Sequence, residues 1–336
     1  MGEDLGFVQD PGLIREYMER QLPALAVKLG LDAEGIETLR GLATVSFLDE
    51  VRSGDDPGAG VCIGSQASSR MLVRFLLERF VTEGGILGKG HLSWAMQYRR
   101  QGGRIALVCN HTGNADGPII DYFLGEALRD RFPETEGKLW FVAGHMVWQH
   151  PFLRMFSRSV NMIRVVSRKY IEDATAKGDH EKVAEMRRQN MAMFSHLRHE
   201  AADRNDIICF FPEGTRNRTG QLNRGVSETM SILHVMQKAN PGPQGVMILP
   251  CCIEGAASML PDVEDTLEFY RFLEAVRKGK VFLHIGSPVL LRDLMDRIPE
   301  GISKQDADRL LVDDLMPRIA RFIPDDLRGP YRLGYD

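Results

Sequence analysis

His111 and Asp116 lie in the segment 110–116 with four residues between them, and this pair could do general-base chemistry. An imidazole can take a proton near neutral pH, and a carboxylate on its other ring nitrogen fixes the tautomer and stabilises the charged ring. The spacing alone is a weak signal in a chain with nine histidines,. The alternative interpretation is that Asp116 caps a helix and His111 is a loop residue.

The residues on either side of this pair predict a strand followed by a helix. Residues 105–109 form a short apolar run that is typical of a buried strand,. After Gly117-Pro118, apolar residues recur at helical spacing as far as Leu128, and proline is tolerated in a first helical turn,. An α/β fold presents a reactive side chain in this way, at a strand end above the sheet.

A second segment with chemical potential, 210–218, directly follows another short apolar run. Pro212 cannot donate to a strand ladder, so the strand should end there, and Gly214 permits a tight turn that points backbone amides outward. Arg216 and Arg218 follow, and their planar guanidinium groups suit phosphate oxygens, at roughly 1.5–3 kcal/mol per charge-assisted hydrogen bond. A solvated charged loop is the alternative.

The two segments would lie together if their strands run parallel, because the carboxyl ends of parallel strands meet at one edge of a sheet. His111 and Arg216 would then share one crevice. A third basic segment, 167–170, follows the apolar run 160–166 and could reach the same edge. By itself, this third segment is more typical of a charged surface turn.

The composition is that of an ordinary globular protein, with 336 residues, 43% hydrophobic and 26% charged residues and a formal net charge of −4,. This charge gives no reason to expect nucleic acid as a partner. The five cysteines lack Cys-x2-Cys spacing and are expected to be buried thiols in a reducing compartment,. No apolar stretch suits a signal peptide or a membrane span, so we expect a cytoplasmic protein and leave peripheral contact with the inner membrane open.

Strand-like and helix-like patterns alternate from about residue 86 onwards, at the lengths of crossover connections. This alternation predicts an α/β domain over residues 86–336, with a mainly parallel mixed sheet flanked by helices. Residues 1–85 show helical patterns and predict a smaller N-terminal helical domain. In the larger domain the expected strands are 105–109, 139–143, 160–166, 207–211, 246–252 and 281–285, and the expected helices are 92–100, 119–128, 181–202, 226–237 and 303–322.

Taken together, the two motifs resemble the glycerolipid acyltransferase superfamily. The residues that carry this resemblance are Asn110-His111 with Asp116 and, about a hundred residues later, Phe-Pro-Glu-Gly-Thr-Arg at 211–216. More narrowly, the chain is similar to the soluble plastid-type glycerol-3-phosphate acyltransferases at Asn161, at the segment 167–171 and at Arg216 with Arg218. The resemblance covers about residues 88–290.

The resemblance implies that His111 is the general base and that Asp116 holds it. It also implies a pocket for glycerol 3-phosphate, to which we assign Lys169, Tyr170, Glu213, Gly214, Thr215, Arg216 and Arg218. This chain has Tyr170 where the family often has histidine, so it departs from the family at one cationic contact.

The implied reaction moves a fatty acyl group from a thioester of acyl carrier protein or coenzyme A to the sn-1 hydroxyl of glycerol 3-phosphate, the first step of phospholipid synthesis. Because an imidazole base needs no covalent acyl-enzyme, we expect direct transfer in a ternary complex, without metal or cofactor. An acidic carrier protein could dock on two sets of arginines, Arg70/Arg74/Arg79 and Arg99/Arg100/Arg104,.

Three other functions fit parts of the same pattern. The same base and phosphate clamp could acylate lysophosphatidic acid. His111, Asp116, His145 and His150 could instead be the ligands of a metal-dependent phosphohydrolase,. A phospholipid-binding module without catalysis would bind the phosphate headgroup but cleave no thioester.

Overall fold

In the computed structural model, the described part of the chain forms a mixed sheet of nine strands. The structure describes Pro23 and residues 26–52, 62–113, 115–144, 157–217, 219–240, 242–256 and 277–332. The strands are β1 (Cys62–Ile63), β2 (Val81–Leu87), β3 (Arg104–Cys109), β4 (Leu139–Gly144), β5 (Asn161–Val165), β6 (Ile207–Phe210), β7 (Val246–Glu254), β8 (Gly279–Ile285) and β9 (Val289–Leu290). Their spatial order is β1-β5-β4-β6-β3-β7-β8-β2, and β9 also pairs with β7.

The five central strands β5, β4, β6, β3 and β7 run parallel to one another. Val108 of β3 lies opposite Phe210 of β6, and Cys109 lies opposite Cys251 of β7. The carboxyl ends of these strands therefore lie at one edge of the sheet. The strand β8 is antiparallel to β7 and parallel to β2, so the sheet as a whole is mixed.

Helices cover both faces of the sheet. They are α1 (Ala33–Arg52), α2 (Ala67–Phe80), α3 (Lys89–Arg100), α4 (Asp116–Leu128), α5 (Arg168–Ala176), α6 (His180–Arg198), α7 (Glu200–Asp203), α8 (Ser231–Ala239), α9 (Leu291–Met295) and α10 (Lys304–Ala320). Asp179 and Ser303 cap α6 and α10, because each side chain accepts the N–H of the third residue that follows at 3.1 Å,. Among the described helices, none is both long and apolar enough to cross a bilayer.

Alternating side chains of β3 divide the core into two layers. Ile105, Leu107 and Cys109 pack with α1, α2, α3 and α4, whereas Ala106 and Val108 pack with α6, α8 and α10,. Every residue of β3 is buried. A strand that is covered on both faces has a continuous apolar sequence, which is why this strand could be predicted.

The predicted α/β architecture, a mainly parallel mixed sheet flanked by helices, is confirmed. The single helix predicted over 181–202 is wrong in detail, because α6 and α7 are separate helices on either side of His199. The strand β2 was not predicted, since its Gly84-Gly85 interrupts any alternation of apolar residues. The domain boundary predicted between residues 85 and 86 falls inside β2 and stays a prediction.

Gly88 lies where β2 leads into α3 and has no room for a side chain. Its φ is +84°, and a Cβ would overlap the carbonyl oxygen of Ile285. We expect Gly88→Ala to lower the free energy of unfolding by about 2 kcal/mol or more, measured by urea denaturation. Gly90→Ala is the control, because a Cβ there meets no described atom within 4 Å. Equal losses in the two variants would contradict this interpretation.

Candidate active site

His111 and Asp116 form a hydrogen-bonded pair at the carboxyl edge of the sheet. His111 follows the end of β3, and Asp116 is the first residue of α4. Nδ1 of His111 lies 2.8 Å from Oδ2 of Asp116; the Asp116 side chain is buried and the His111 side chain is 21% exposed. Because a carboxylate only accepts hydrogen bonds, Nδ1 carries the proton and Nε2 is the basic nitrogen.

Three further donors fix the carboxylate of Asp116. The N–H groups of Thr112 and Gly113 donate to Oδ2 at 2.6 and 2.9 Å, and the Thr112 hydroxyl donates to Oδ1 at 2.8 Å. These donors precede α4, so Asp116 holds the histidine loop and does not act as a simple helix cap. The imidazole also stacks on Phe211, with 4.1 Å between the ring centroids. The plane and the tautomer of the imidazole are therefore both fixed.

The second motif holds the backbone of His111. The His111 N–H donates to Oε1 of Glu213 at 2.6 Å, and its carbonyl oxygen accepts the N–H of Asn217 at 2.8 Å. The turn 212–216, which carries Arg216, is thus bonded on both sides to the residue that carries the imidazole. The structure brings the two motifs together at one edge of the sheet.

Glu213 is a buried carboxyl group whose two oxygens both accept backbone N–H groups. Oε1 binds His111, and Oε2 accepts the N–H of Asn223 at 2.7 Å. Burial raises the pKa of Glu213 to about 7; the two N–H donors oppose this rise, and the charge of Asp116 adds to it,. Glu213 therefore joins the loop after β3 to the segment that contains Asn223.

The turn 212–216 presents Gly214 and Thr215 to solvent, with Arg216 half-buried beside them. Gly214 has a φ of +64°, and a Cβ there would contact the side chain of Val226 at 3.4 Å. Glycine therefore allows the tight turn that the sequence predicts. Arg218 lies outside the described residues.

Two asparagines that were not predicted to act in the site hold the motifs in place. Asn110 forms two hydrogen bonds with the backbone of Ile253, which is 143 residues away: Oδ1 accepts its N–H at 2.7 Å, and Nδ2 donates to its carbonyl oxygen at 3.1 Å. The side-chain amide of Asn223 donates to the carbonyl oxygen of Arg216 at 3.3 Å. The available sequence signal was the position of Asn110 directly after a buried strand. That position does not indicate which residue Asn110 binds.

The third basic segment reaches the same edge, because α5 begins directly after the parallel strand β5. Lys169 is exposed in the first turn of α5. Arg168 pairs with Glu228 at 3.1 Å. Glu228 is two residues after Val226, whose side chain lies beside Gly214 in the active-site turn. Tyr170 is half-buried and packs on a small apolar cluster between α5 and α6.

The structure does not place the remaining predicted residues in this site. His145 and His150, the additional metal ligands of the phosphohydrolase alternative, lie outside the described residues. Within the part of the chain that is described, no group of three or more His, Cys, Asp or Glu residues could hold a metal ion. Asn161, which contributed to the narrower resemblance, begins β5 and binds backbone groups near the start of β4. It therefore lies at the opposite edge from His111.

Three buried cysteines line the inner side of this edge. Cys109 directly precedes Asn110, lies opposite Cys251 and shares one face of the sheet with Cys209. All three are free thiols, as predicted. Burial raises the pKa of Cys109 and Cys209 well above the usual range of thiols, and such groups are poor nucleophiles,. The imidazole of His111 is therefore the best candidate for the reactive group.

Comparison with known proteins finds similarity to acyltransferases. Residues 95–254 match the sequence model of the family described as Acyltransferase, over a segment that contains both motifs. Among solved structures, the chain is similar to the 1-acyl-sn-glycerophosphate (LPA) acyltransferase PlsC from Thermotoga maritima, at 15% identity and a TM-score of 0.41, with 93% of this chain and 95% of that chain covered. Curated protein sequences give no match. Residues 95–254, slightly less than half of the chain, are therefore similar in sequence to acyltransferases.

Replacement of Glu213 by glutamine should change how stability depends on pH. The pKa of this carboxyl is about 7 in the folded protein against an ordinary value of 4.5, so the folded state binds the proton more tightly than the unfolded state does. This stabilisation is complete below about pH 4.5 and is lost as the pH rises to about 7, a loss of about 3 kcal/mol. The free energy of unfolding of Glu213→Gln should not show this fall between about pH 4.5 and 7.

Urea unfolding of both proteins between about pH 4.5 and 8 measures the difference. Replacement of the exposed Glu136 by glutamine is the matched control. Its free energy of unfolding should fall with pH as in the wild-type protein. Parallel pH profiles for wild type and Glu213→Gln would show that Glu213 does not titrate in this range.

Proposed function

We propose that this chain is a glycerol-3-phosphate 1-O-acyltransferase, which transfers a fatty acyl group from an acyl thioester to the sn-1 hydroxyl of glycerol 3-phosphate. The observation that carries the proposal is the His111–Asp116 pair bonded to the turn that bears Arg216. The acyltransferase match over residues 95–254 supports the class of reaction. The choice of glycerol 3-phosphate rests on the resemblance around Lys169 and Arg216.

In the proposed reaction, His111 is the general base. Asp116 holds the Nδ1–H, so Nε2 accepts the proton of the acceptor hydroxyl as the hydroxyl oxygen attacks the thioester carbonyl carbon,. The carbon–sulfur bond of the tetrahedral intermediate then breaks, and the imidazolium gives the proton to the leaving thiolate. Asp116 stabilises the imidazolium in between, and no acyl-enzyme forms.

The phosphate of the acceptor is proposed to bind to Lys169, Arg216 and Arg218. The phosphate carries up to two negative charges and loses bound water when it binds. Fixed cations are therefore needed in place of that water. Gly214 and Thr215 add exposed backbone at the same turn. Tyr170 and Glu213 support this pocket from its sides: Tyr170 through its packing between α5 and α6, and Glu213 through its two backbone contacts.

The acyl donor is proposed to be a thioester of acyl carrier protein or coenzyme A, and two of the six arginines expected to dock a carrier protein are not available for it. Arg99 and Arg104 are buried. Arg100 pairs with Glu134 at 2.5 Å, and Arg74 pairs with two glutamates at 2.9 Å each. Arg74 and Arg100 are partly exposed in these ion pairs, so docking of a carrier protein at Arg70, Arg74, Arg79 and Arg100 stays a prediction.

One assay tests the proposed function. Purified protein is supplied with an acyl thioester and either glycerol 3-phosphate or lysophosphatidic acid, and both thiol release and the lipid product are followed. We expect thiol release that requires glycerol 3-phosphate and yields lysophosphatidic acid. Turnover with lysophosphatidic acid but not with glycerol 3-phosphate would refute the proposed acceptor. Phosphate release that stops on chelation would favour the phosphohydrolase, and lipid binding without thiol release would favour a binding module.

His111→Ala should remove most of the activity, since general-base catalysis contributes about 10²–10⁴-fold. Binding of glycerol 3-phosphate, measured by calorimetry, should persist, because the turn that carries Arg216 remains. A variant with more than about a tenth of the wild-type kcat would contradict the assignment of His111 as the base.

Arg216→Ala should raise the KM for glycerol 3-phosphate about ten- to a hundredfold and leave the KM for the acyl donor near its wild-type value, because a charge-assisted contact to phosphate is lost. Steady-state kinetics with each substrate varied in turn measures the two constants. Arg187→Ala, on the exposed face of α6, is the matched control. Equal increases in both KM values would argue against phosphate binding by Arg216.

A further inference from the structure

The segment 222–226 connects the active-site turn to the C-terminal part of the chain. Two of its backbone N–H groups bind the turn: Asn223 donates to Glu213 at 2.7 Å, and Val226 donates to the carbonyl oxygen of Pro212 at 2.8 Å. The turn that bears Arg216 is therefore supported from behind by this segment.

Two other N–H groups of the same segment bind in the opposite direction. Leu222 donates to the carbonyl oxygen of Leu327 at 2.8 Å, and Gly225 donates to the hydroxyl oxygen of Tyr331 at 3.0 Å. Leu327 and Tyr331 end the helical turns Asp325–Leu327 and Gly329–Tyr331. The donors to the two sides alternate along the segment, so it is held between the active-site turn and the C-terminal residues.

The packing around this segment leaves it little freedom to move. Gly329 has a φ of +56°, and a Cβ there would overlap the carbonyl oxygen of Leu222. A Cβ at Gly225 would overlap the side chain of Val312 in α10, and Arg309 donates to the carbonyl oxygen of Gly225 at 3.3 Å. A shift of the C-terminal residues must therefore shift the segment 222–226 with them.

We propose that residues 324–332 are a positioning element for the acceptor site and that Tyr331 is its main positioning residue. This inference rests on the proposed function for the identity of the ligand. Without the Tyr331 hydroxyl, the Gly225 N–H loses its acceptor and Asn223 is held less firmly against Glu213 and Arg216. The imidazole of His111 keeps its contacts with Asp116 and Phe211, so the effect falls on acceptor binding more than on the chemical step.

Tyr331→Phe tests this inference because it removes the hydroxyl and keeps the ring. We expect the KM for glycerol 3-phosphate to rise about five- to tenfold, as for the loss of one partly buried hydrogen bond, with kcat and the KM for the acyl donor within about twofold of wild type,. Hydrogen exchange without substrates should show faster exchange in the segment 222–226. Tyr98→Phe is the matched control, since the Tyr98 hydroxyl is buried without a hydrogen-bond partner among the described residues.

Gly329→Ala provides a second perturbation of the same contact and should produce the same selective rise in KM. Unchanged exchange at 222–226 in Tyr331→Phe, or equal rises in both KM values, would overturn the inference. Should the wild-type protein transfer no acyl group, the proposed function fails. The exchange measurement and the affinity for glycerol 3-phosphate, measured by calorimetry, would then still decide the role of Tyr331.

Discussion

The buried carboxyl group of Glu213 is the contact on which the rest of the site depends. It accepts one backbone N–H from His111 and one from Asn223, and so joins two segments that are far apart in the chain. An unpaired N–H in such a place would cost about 1–3 kcal/mol. Each segment therefore satisfies its polar backbone only when the other is in place, which makes the arrangement cooperative.

Two buried carboxyl groups in this site have different environments and different tasks. Asp116 receives four hydrogen bonds, one of them from the imidazole, and these fix the ring that the proposed reaction uses. Glu213 receives two, both from the backbone, and burial raises its pKa. A raised pKa is often a sign of a catalytic acid, but here the two oxygens face amides, so the group serves as a structural link.

The strands that end at the site could be predicted, because β3 and β6 are buried on both faces and have continuous apolar sequences,. Their parallel arrangement follows from the alternation of strands and helices, and it brings His111 and Arg216 to one edge of the sheet. The partners of Asn110, Asn223 and Tyr331 could not be predicted, since each contact joins residues that are distant in the sequence or depends on the local path of a loop. The burial of Arg99 and Arg104 could not be predicted for the same reason: sequence shows a charge but does not show the core that surrounds it.

Loops that carry reactive residues are usually more mobile than the sheet below them. Here three side chains hold the loop after β3. Asn110 binds it to β7, Glu213 binds it to the loop after β6, and Asp116 binds it to α4. The 212–216 turn is in turn supported by residues 222–226, and these by the C-terminal residues. None of these segments would be rigid alone. The order of the site therefore comes from the contacts that join them in series. Precise placement of an imidazole and a cation on loops requires support of this kind.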